Sequence, residues 1–279
     1  MDLSRQLRQT AELLREARAL VITAGAGMGV DSGLPDFRGD SGFWRAYPLY
    51  ERLGISFVDA ANPGHFERDP AFGWGFYGHR CNLYRDTVPH DGFRLLLGWI
   101  ERFGLDSFVA TSNVDGQFQK AGFAEERILE FHGSIHHLQC TGPCCGRIWE
   151  NRESLGIDEE SMRADRVPLC PRCGAAARPN ILMFGDYGWI GERTERQRER
   201  FGHFLTRQSG KRMVVVELGA GTAIPTVRAA SERIGAFSGA RVIRINPREP
   251  QICAPHLSLP CGAMDGLRGI EQMLATGER

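Results

Sequence analysis

The strongest constraint on this chain is an apolar run that ends against closely spaced glycines. Ala19-Leu20-Val21-Ile22 reads as a short buried strand. It passes directly into Thr23-Ala24-Gly25-Ala26-Gly27-Met28-Gly29-Val30. An open α/β sheet starts a nucleotide site in this way. Glycine lets backbone approach a pyrophosphate, and the N–H groups of the turn and of the next helix supply donors. Taken alone the signal is weak, because Val30 stands where a dinucleotide pattern has its third glycine. The continuation, Asp31-Ser32-Gly33-Leu34-Pro35-Asp36-Phe37-Arg38-Gly39, is a loop and not a helix start. It keeps a charge, an aromatic ring and turn-formers close to the phosphate site.

The rest of the chain alternates in a way that suits such a sheet. Leu3, Leu7, Ala11, Leu14 and Ala17 recur at helical spacing ahead of the first strand. Residues 40–90 are rich in aromatics and often broken by Gly and Pro, which predicts short helices and loops forming a lid or cleft wall. Phe93, Leu96, Leu97 and Ile100 mark a helix. A second strand is expected over Ser107–Thr111, running into Ser112-Asn113-Val114-Asp115-Gly116. A third covers Met213–Leu218 and meets a second glycine turn, Gly219-Ala220-Gly221-Thr222. A helix begins around Pro225, a fourth strand covers Arg241–Ile245 and ends in Asn246-Pro247, and a last helix carries Leu267, Ile270, Met273 and Leu274. Strands alternating with helices predict an α/β fold with a mostly parallel, doubly wound sheet.

Length and charge narrow the function. The 279 residues suffice for one large α/β domain, or a large and a small one. Lys+Arg and Asp+Glu both number 34, which argues against a dominant nucleic-acid or membrane-surface role. No run approaches the ~20 apolar residues of a membrane span. The N-terminal residues show no signal-peptide pattern, so the expected compartment is the cytoplasm. In that compartment the crowding of Cys140, Cys144, Cys145, Cys170 and Cys173 favours a metal over disulfides. Cys170-Pro171-Arg172-Cys173 is a knuckle that presents two thiolates. Cys140 with Cys144 or Cys145 supplies the second pair, and four thiolates make a closed, structural zinc site.

Two further sets of residues carry chemistry. His132, between Phe131 and Gly133, has the ordinary pKa of a base that works near neutrality, although a lone histidine is also a common structural residue. Asn113, Asp115, Gly219 and Asn246 all fall at strand ends, where a parallel sheet places its ligand crevice. No Ser-His-Asp order, Walker loop or metal-binding histidine helix is present.

Taken in order, these residues resemble the sirtuins, NAD-dependent protein deacylases, over nearly the whole chain. Gly25-Ala26-Gly27-Met28-Gly29-Val30-Asp31-Ser32-Gly33-Leu34-Pro35-Asp36-Phe37-Arg38 is similar to the family's first motif. Thr111-Ser112-Asn113-Val114-Asp115-Gly116 is similar to its Thr-Gln-Asn-Ile-Asp-Gly, and His132-Gly133 to its His-Gly. The four-cysteine module follows, and then Phe184-Gly185-Asp186, where the family has Phe-Gly-Glu.

The resemblance implies a Rossmann-like part over 1–39, 91–135 and 185–279, a helical segment over 40–90 and a zinc module over 136–184, with NAD and acyl-lysine meeting between them. It implies that Ala24, Gly25, Ala26 and Gly27 approach the phosphates, and that Asp36, Phe37 and Arg38 cover the ribose and phosphates. Ser112, Asn113, Val114 and Asp115 would line the nicotinamide pocket. Gly219, Ala220, Gly221 and Asn246 would complete the NAD site. His132 would be the base, assisted by Asn113 and Asp115. Substrate would add as a strand near Phe184 and Gly185. Tyr77-Gly78-His79-Arg80 has the Tyr-x-x-Arg spacing of sirtuins that remove succinyl, malonyl or glutaryl groups, since an arginine fork and a phenol suit a terminal carboxylate. The other reading of Arg80 is a pair with an acidic neighbour on a helix face.

Gly29, Ser112 and Ala220 replace Ser, Gln and Thr of the family pattern, removing polar groups beside NAD. They leave two alternatives standing: an NAD glycohydrolase or mono-ADP-ribosyltransferase on the same fold, and a non-catalytic NAD or ADP-ribose binding module.

Overall fold

The helix expected ahead of the first strand covers Leu3–Glu16 (α1) in the computed structural model, which describes residues 2–36, 39–142 and 144–276. The Asp2 carboxylate caps it, accepting from the Ser4 N–H at 3.0 Å. The apolar run becomes β1, Ala19–Ala24, with all six residues buried. Successive side chains of a strand point to opposite faces, so a strand buried throughout needs cover on both. Leu20, Ile22 and Ala24 pack in one apolar cluster, while Ala19 and Val21 pack in another.

The aromatic segment follows as α2 (Gly39–Ala46), α3 (Pro48–Arg52), α4 (Phe57–Ala60), α5 (Gly64–Arg68) and α6 (Pro70–Asp86). Then come α7 (Asp91–Phe103), β2 (Asp106–Thr111), α8 (Gln117–Lys120), β3 (Ile128–Glu130), β4 (Gly133–Cys140), β5 (Ile148–Glu150), β6 (Ile157–Asp158), β7 (Arg163–Ala164) and β8 (Ala177–Ile181). The chain closes with α9 (Glu192–Arg207), β9 (Met213–Leu218), α10 (Thr226–Ser238), β10 (Arg241–Ile245), β11 (Leu257–Leu259) and α11 (Ala263–Thr276).

Six strands form one parallel sheet in the order β11-β10-β9-β1-β2-β3. Numbered by appearance within that sheet, the order is 6-5-4-1-2-3, a doubly wound arrangement whose direction reverses between β1 and β9. Helices α1, α7 and α11 share the cluster of Leu20 and Ile22, and α9 and α10 share that of Val21. A second, antiparallel sheet, β5-β4-β8, and the ribbon β6–β7 stand apart from the first. They pack with the aromatics of α2–α6 in a third apolar cluster.

The structure departs from the expected short helices at α6, which is continuous over 17 residues despite Gly73, Gly75 and Gly78. The glycines are there for close approach. A Cβ at Gly75 would lie 1.7 Å from the Met162 carbonyl oxygen, and one at Gly78 would lie 2.8 Å from Ile157 Cδ1. Tight packing against β6 and β7 thus outweighs the poor helix propensity. Among the described residues no helix is long and apolar enough to cross a membrane.

Candidate active site

The reversal between β1 and β9 sets two glycine turns against each other. The Gly25 N–H donates to the Leu218 carbonyl at 3.0 Å, and the Gly27 N–H to the Gly219 carbonyl at 3.1 Å. A Cβ at Gly25 would lie 2.9 Å from Ala220 Cα and from the Gly219 oxygen. Gly219 has φ +60°, and a Cβ there would lie 2.4 Å from Gly27 Cα. Each turn therefore excludes side chains from the other. Asn113 ties in the end of β2, its amide donating to the Gly25 carbonyl at 3.1 Å.

In front of these turns opens a cavity of about 630 Å³. At the glycine end it is lined by Gly25, Ala26, Gly29, Asp36, Ser112 and Gly219–Gly221. At the far end it is lined by Tyr77, Arg80, Tyr84, Asp115, Ile181 and Met183. His132 lies between them, also on the wall with Asn113, Val114 and Phe184. An exposed surface of glycines and backbone, at the carboxyl ends of parallel strands, is what a pyrophosphate needs. That glycine-lined wall fits a dinucleotide.

His132 follows β3 and leads into β4. Its Nε2 lies 3.3 Å from the Thr226 hydroxyl. Burial lowers its pKa, and a hydrogen bond to the Ser112 backbone acts in the opposite direction. The imidazole is thus held neutral near pH 7, the state of a general base. Asp115 is buried, and burial pushes its carboxyl up to about 6; the hydrogen bond it accepts from the Gln117 N–H, 2.9 Å long, opposes the shift. His136 Nε2 donates to the Asp115 carbonyl at 2.9 Å and fixes that turn.

Arg80 is buried at the far end, on α6. Its Nε and Nη2 donate to Tyr84 Oη at 2.9 and 2.7 Å. The guanidinium carbon sits 5.0, 5.6 and 5.4 Å from the ring centres of Phe76, Tyr77 and Tyr84. Burial pushes the Tyr77 phenol up to about 12, with Arg80 opposing. Nearby, the loop after β8 is pinned: the Phe184 N–H donates to the Ala61 carbonyl at 3.0 Å. Asp186 takes both arms of Arg178 at 2.7 and 2.9 Å, with both side chains buried.

Four cysteines converge at the other end of the second sheet. The sulfurs of Cys140, Cys144, Cys170 and Cys173 all lie within 4.8 Å of one another. Cys140–Cys173 and Cys144–Cys170 are each separated by 3.6 Å. Tetrahedral zinc with Zn–S near 2.3 Å places its ligands about 3.8 Å apart. The thiolate set fits zinc. Cys145 Sγ is 3.6 Å from Cys144 Sγ but stands outside the four.

Not every expected residue faces the cavity. Ala24, Gly27 and Gly185 are absent from its wall. Asn246 is buried behind it, its amide donating to the Ala220 carbonyl at 2.8 Å and its oxygen accepting from the Arg248 and Glu249 N–H groups at 2.9 Å. It braces the turn from behind. Phe37 and Arg38 lie outside the described residues. Three residues were missed: Tyr84, Glu249 and Thr226. Tyr84 had a signal, since it lies four residues after Arg80 on one helix face. Glu249, which accepts from the Thr222 N–H at 3.1 Å, had none.

Comparison with known proteins bears on this geometry. The family model described as the Sir2 family matches residues 25–198. A protein of Thermus thermophilus named NAD-dependent protein deacylase is 31% identical over 94% of this chain and 92% of its own length. One of Thermococcus kodakarensis with the same name is 34% identical over 64% of this chain, and the match spans 65% of that protein. A solved complex of a Sir2 homologue with NAD shares the fold, with a TM-score of 0.74 over 96% of this chain and 94% of its own, at 24% identity.

Proposed function

Since the chain belongs to the Sir2 family, we propose that it is an NAD-dependent protein deacylase, moving an acyl group from a lysine side chain to ADP-ribose. One observation carries the reading: a half-buried, neutral imidazole and two interlocked glycine turns open onto one cavity at the reversal of the sheet. NAD is a substrate here, bound with its phosphates at Gly25, Ala26 and Gly219–Gly221 and its nicotinamide ribose towards Ser112, Asn113 and His132. Asp36, on the cavity wall, covers it. Acyl-lysine enters beside Phe184 and Gly185 by strand pairing. The Rossmann-like part comprises 1–39, 91–135 and 185–279, the helical wall 40–90 and the zinc module 136–184.

The acyl oxygen attacks the anomeric carbon of the nicotinamide ribose, and nicotinamide leaves with the bonding electrons. His132 Nε2 then takes the proton of a ribose hydroxyl, whose oxygen attacks the acyl carbon. The amine takes that proton from His132 and departs as lysine, and a water molecule adds to the cyclic acyloxonium left on the ribose, giving O-acyl-ADP-ribose and releasing a proton. Asn113 holds the β1 turn to β2, and Asp115 shapes the nicotinamide end. Cys140, Cys144, Cys170 and Cys173 hold zinc. With four thiolates it has no open position, so its contribution is to folding.

The acyl group best suited to the far end is acidic. Tyr84 binds one edge of the Arg80 guanidinium, which orients its charge in a pocket also lined by Tyr77. A succinyl or malonyl carboxylate meeting that charge out of water gains a charge-assisted hydrogen bond that acetyl lacks.

The test is turnover on succinyl- and acetyl-lysine peptides with NAD, following nicotinamide and peptide mass. Arg80→Met should lower kcat/KM on the succinyl peptide about tenfold to a hundredfold and leave the acetyl peptide within about twofold. Equal loss on both, or a strong acetyl preference in the wild type, refutes the acidic specificity. His132→Ala should abolish deacylation. Nicotinamide release with no deacylated peptide would instead favour the glycohydrolase or ADP-ribosyltransferase reading.

A further inference from the structure

We propose that Tyr84 is a specificity-determining residue whose phenol O–H binds the terminal carboxylate of an acidic acyl chain, beside the Arg80 guanidinium. The inference rests on reading the far end of the cavity as the acyl pocket of a deacylase, and it adds a second donor to that pocket.

Guanidinium nitrogens donate hydrogen bonds and never accept them. Arg80 Nε and Nη2 both reach Tyr84 Oη, at 2.9 and 2.7 Å. These contacts use the phenol oxygen as an acceptor and leave its hydrogen unused. Burial raises the Tyr84 pKa, with Arg80 opposing, so the phenol keeps that hydrogen. Among the described residues the Tyr84 hydroxyl makes no other hydrogen bond. None joins it to Asp115, whose carboxylate lines the same wall and accepts from the Gln117 N–H at 2.9 Å. Tyr84 is 5% exposed and lines the cavity together with Arg80. A buried O–H without an acceptor forfeits a hydrogen bond, and a ligand that brings an acceptor to this wall restores it. Two adjacent donors, one of them charged, suit a carboxylate, which has two oxygens and no proton at neutral pH. An acetyl methyl offers them nothing.

The Tyr-x-x-Arg spacing singles out Tyr77 as the phenol that works with Arg80. Tyr77 meets the guanidinium through its ring, 5.6 Å from the guanidinium carbon, whereas the hydroxyl bonded to it comes from Tyr84, one turn further along α6. Tyr84 is also held independently of Arg80. The Gln117 side-chain amide donates to the Tyr84 carbonyl at 2.9 Å. Gln117 is 1% exposed and opens α8, directly after the segment that brings Asn113, Val114 and Asp115 to the cavity wall. The backbone that carries the phenol is therefore fastened to the end of β2 whether or not residue 80 is an arginine.

The test compares the whole chain as wild type, Arg80→Met, Tyr84→Phe and the double variant. The readout is the ratio of kcat/KM on a succinyl-lysine peptide to kcat/KM on the acetyl-lysine peptide, in which a general loss of folded protein cancels. The wild type should favour the succinyl peptide, and Tyr84→Phe should lower the ratio about fivefold to twentyfold. The double variant separates contact with substrate from action through Arg80. If Tyr84 touches the carboxylate, adding Tyr84→Phe to Arg80→Met should lower the ratio by a further factor of about three or more. An unchanged ratio in Tyr84→Phe, or a double variant no lower than Arg80→Met, overturns the proposal and leaves the deacylase reading standing. A wild type that favours acetyl overturns it together with the acidic specificity. If the wild type deacylates neither peptide, the deacylase reading fails, and the same ratios taken from peptide dissociation constants decide whether Tyr84 binds the carboxylate.

Discussion

The two ends of the cleft are built on opposite principles. At the NAD end the surface is backbone. Gly25 and Gly219 abut so closely that neither admits a Cβ, and glycine and alanine main chain faces the cavity. At the acyl end the surface is side chains. Arg80 and Tyr84 come from α6, Asp115 from the end of β2, and Ile181 and Met183 from the end of β8. A backbone site tolerates side-chain exchange but no added bulk. A side-chain site depends on charge and on whatever holds its distant segments together. That difference explains why Gly29, Ser112 and Ala220 can depart from the family pattern while the NAD cradle keeps its shape. It also locates the weak point of the acyl end. The small second sheet that delivers Ile181 and Met183 carries the four-cysteine cluster at its opposite end.

The largest expected effect follows from that weak point. Stripping zinc with a chelator, or replacing Cys170 with Ala, should release the second sheet and take deacylation to background, because metal binding in such a module is part of its folding energy. Amide exchange should quicken in β4 and β8. It should stay slow in β1 and β9, whose residues sit in the large apolar clusters. Loss of protection in all four strands together would show one cooperative unit, and the contrast between the two ends would collapse.

The next effect tests the NAD end. Gly219→Ala puts a Cβ into left-handed backbone, costing about 1–2 kcal/mol, and into a 2.4 Å overlap with Gly27 Cα. The turns must separate, and the KM for NAD should rise more than about tenfold. Gly29→Ser is the control. Its Cβ would meet only the Leu34 side chain, at 3.1 Å and beyond, which can yield. That variant should stay within about threefold of wild type. If both variants bind NAD equally well, the cradle is not set by glycine contact.

The same contrast decides what the sequence discloses. The NAD end is legible because backbone geometry forces glycine at particular positions, and the thiolate cluster because zinc needs four sulfurs at short spacing. Strands β1, β2, β9 and β10 and helices α1, α7, α10 and α11 follow from periodicity. Other parts had no local signature. Helix α9 reads Glu192-Arg193-Thr194-Glu195-Arg196-Gln197-Arg198, almost without apolar residues, and is fixed by Phe201 and Phe204 in the core and by the buried Arg193–Glu130 pair. Strand β11 is three residues long and is defined by its register on β10. The choice of Cys144 over Cys145 is set by where a turn aims two adjacent sulfurs, which spacing does not fix. Thr226 meets His132 across 94 positions of sequence. Chemistry carried by side chains from distant segments appears only once the chain is folded.

The smallest effect is one of stability at the acyl end. Asp115 titrates near 6 in the fold, against an ordinary value near 3.8, chiefly because it is buried. The folded state thus binds that proton more tightly than the unfolded chain. Its contribution to stability is fully present below pH 3.8 and declines as the pH rises through about 6. Above pH 7 the protein carries a buried carboxylate at a cost of at most about 3 kcal/mol. Asp115→Asn keeps an oxygen to accept from the Gln117 N–H and removes the charge. Its Tm should exceed that of the wild type by a few degrees at pH 8, and the gap should close towards pH 4. At pH 8 the same variant should turn over more slowly, since Asp115 lines the cavity. A variant no more stable than wild type at pH 8 would mean that Arg80, the nearby positive charge that lowers the Asp115 pKa, already offsets the cost of burial. The acyl end would then hold a matched charge pair, leaving less of the Arg80 field for a substrate carboxylate.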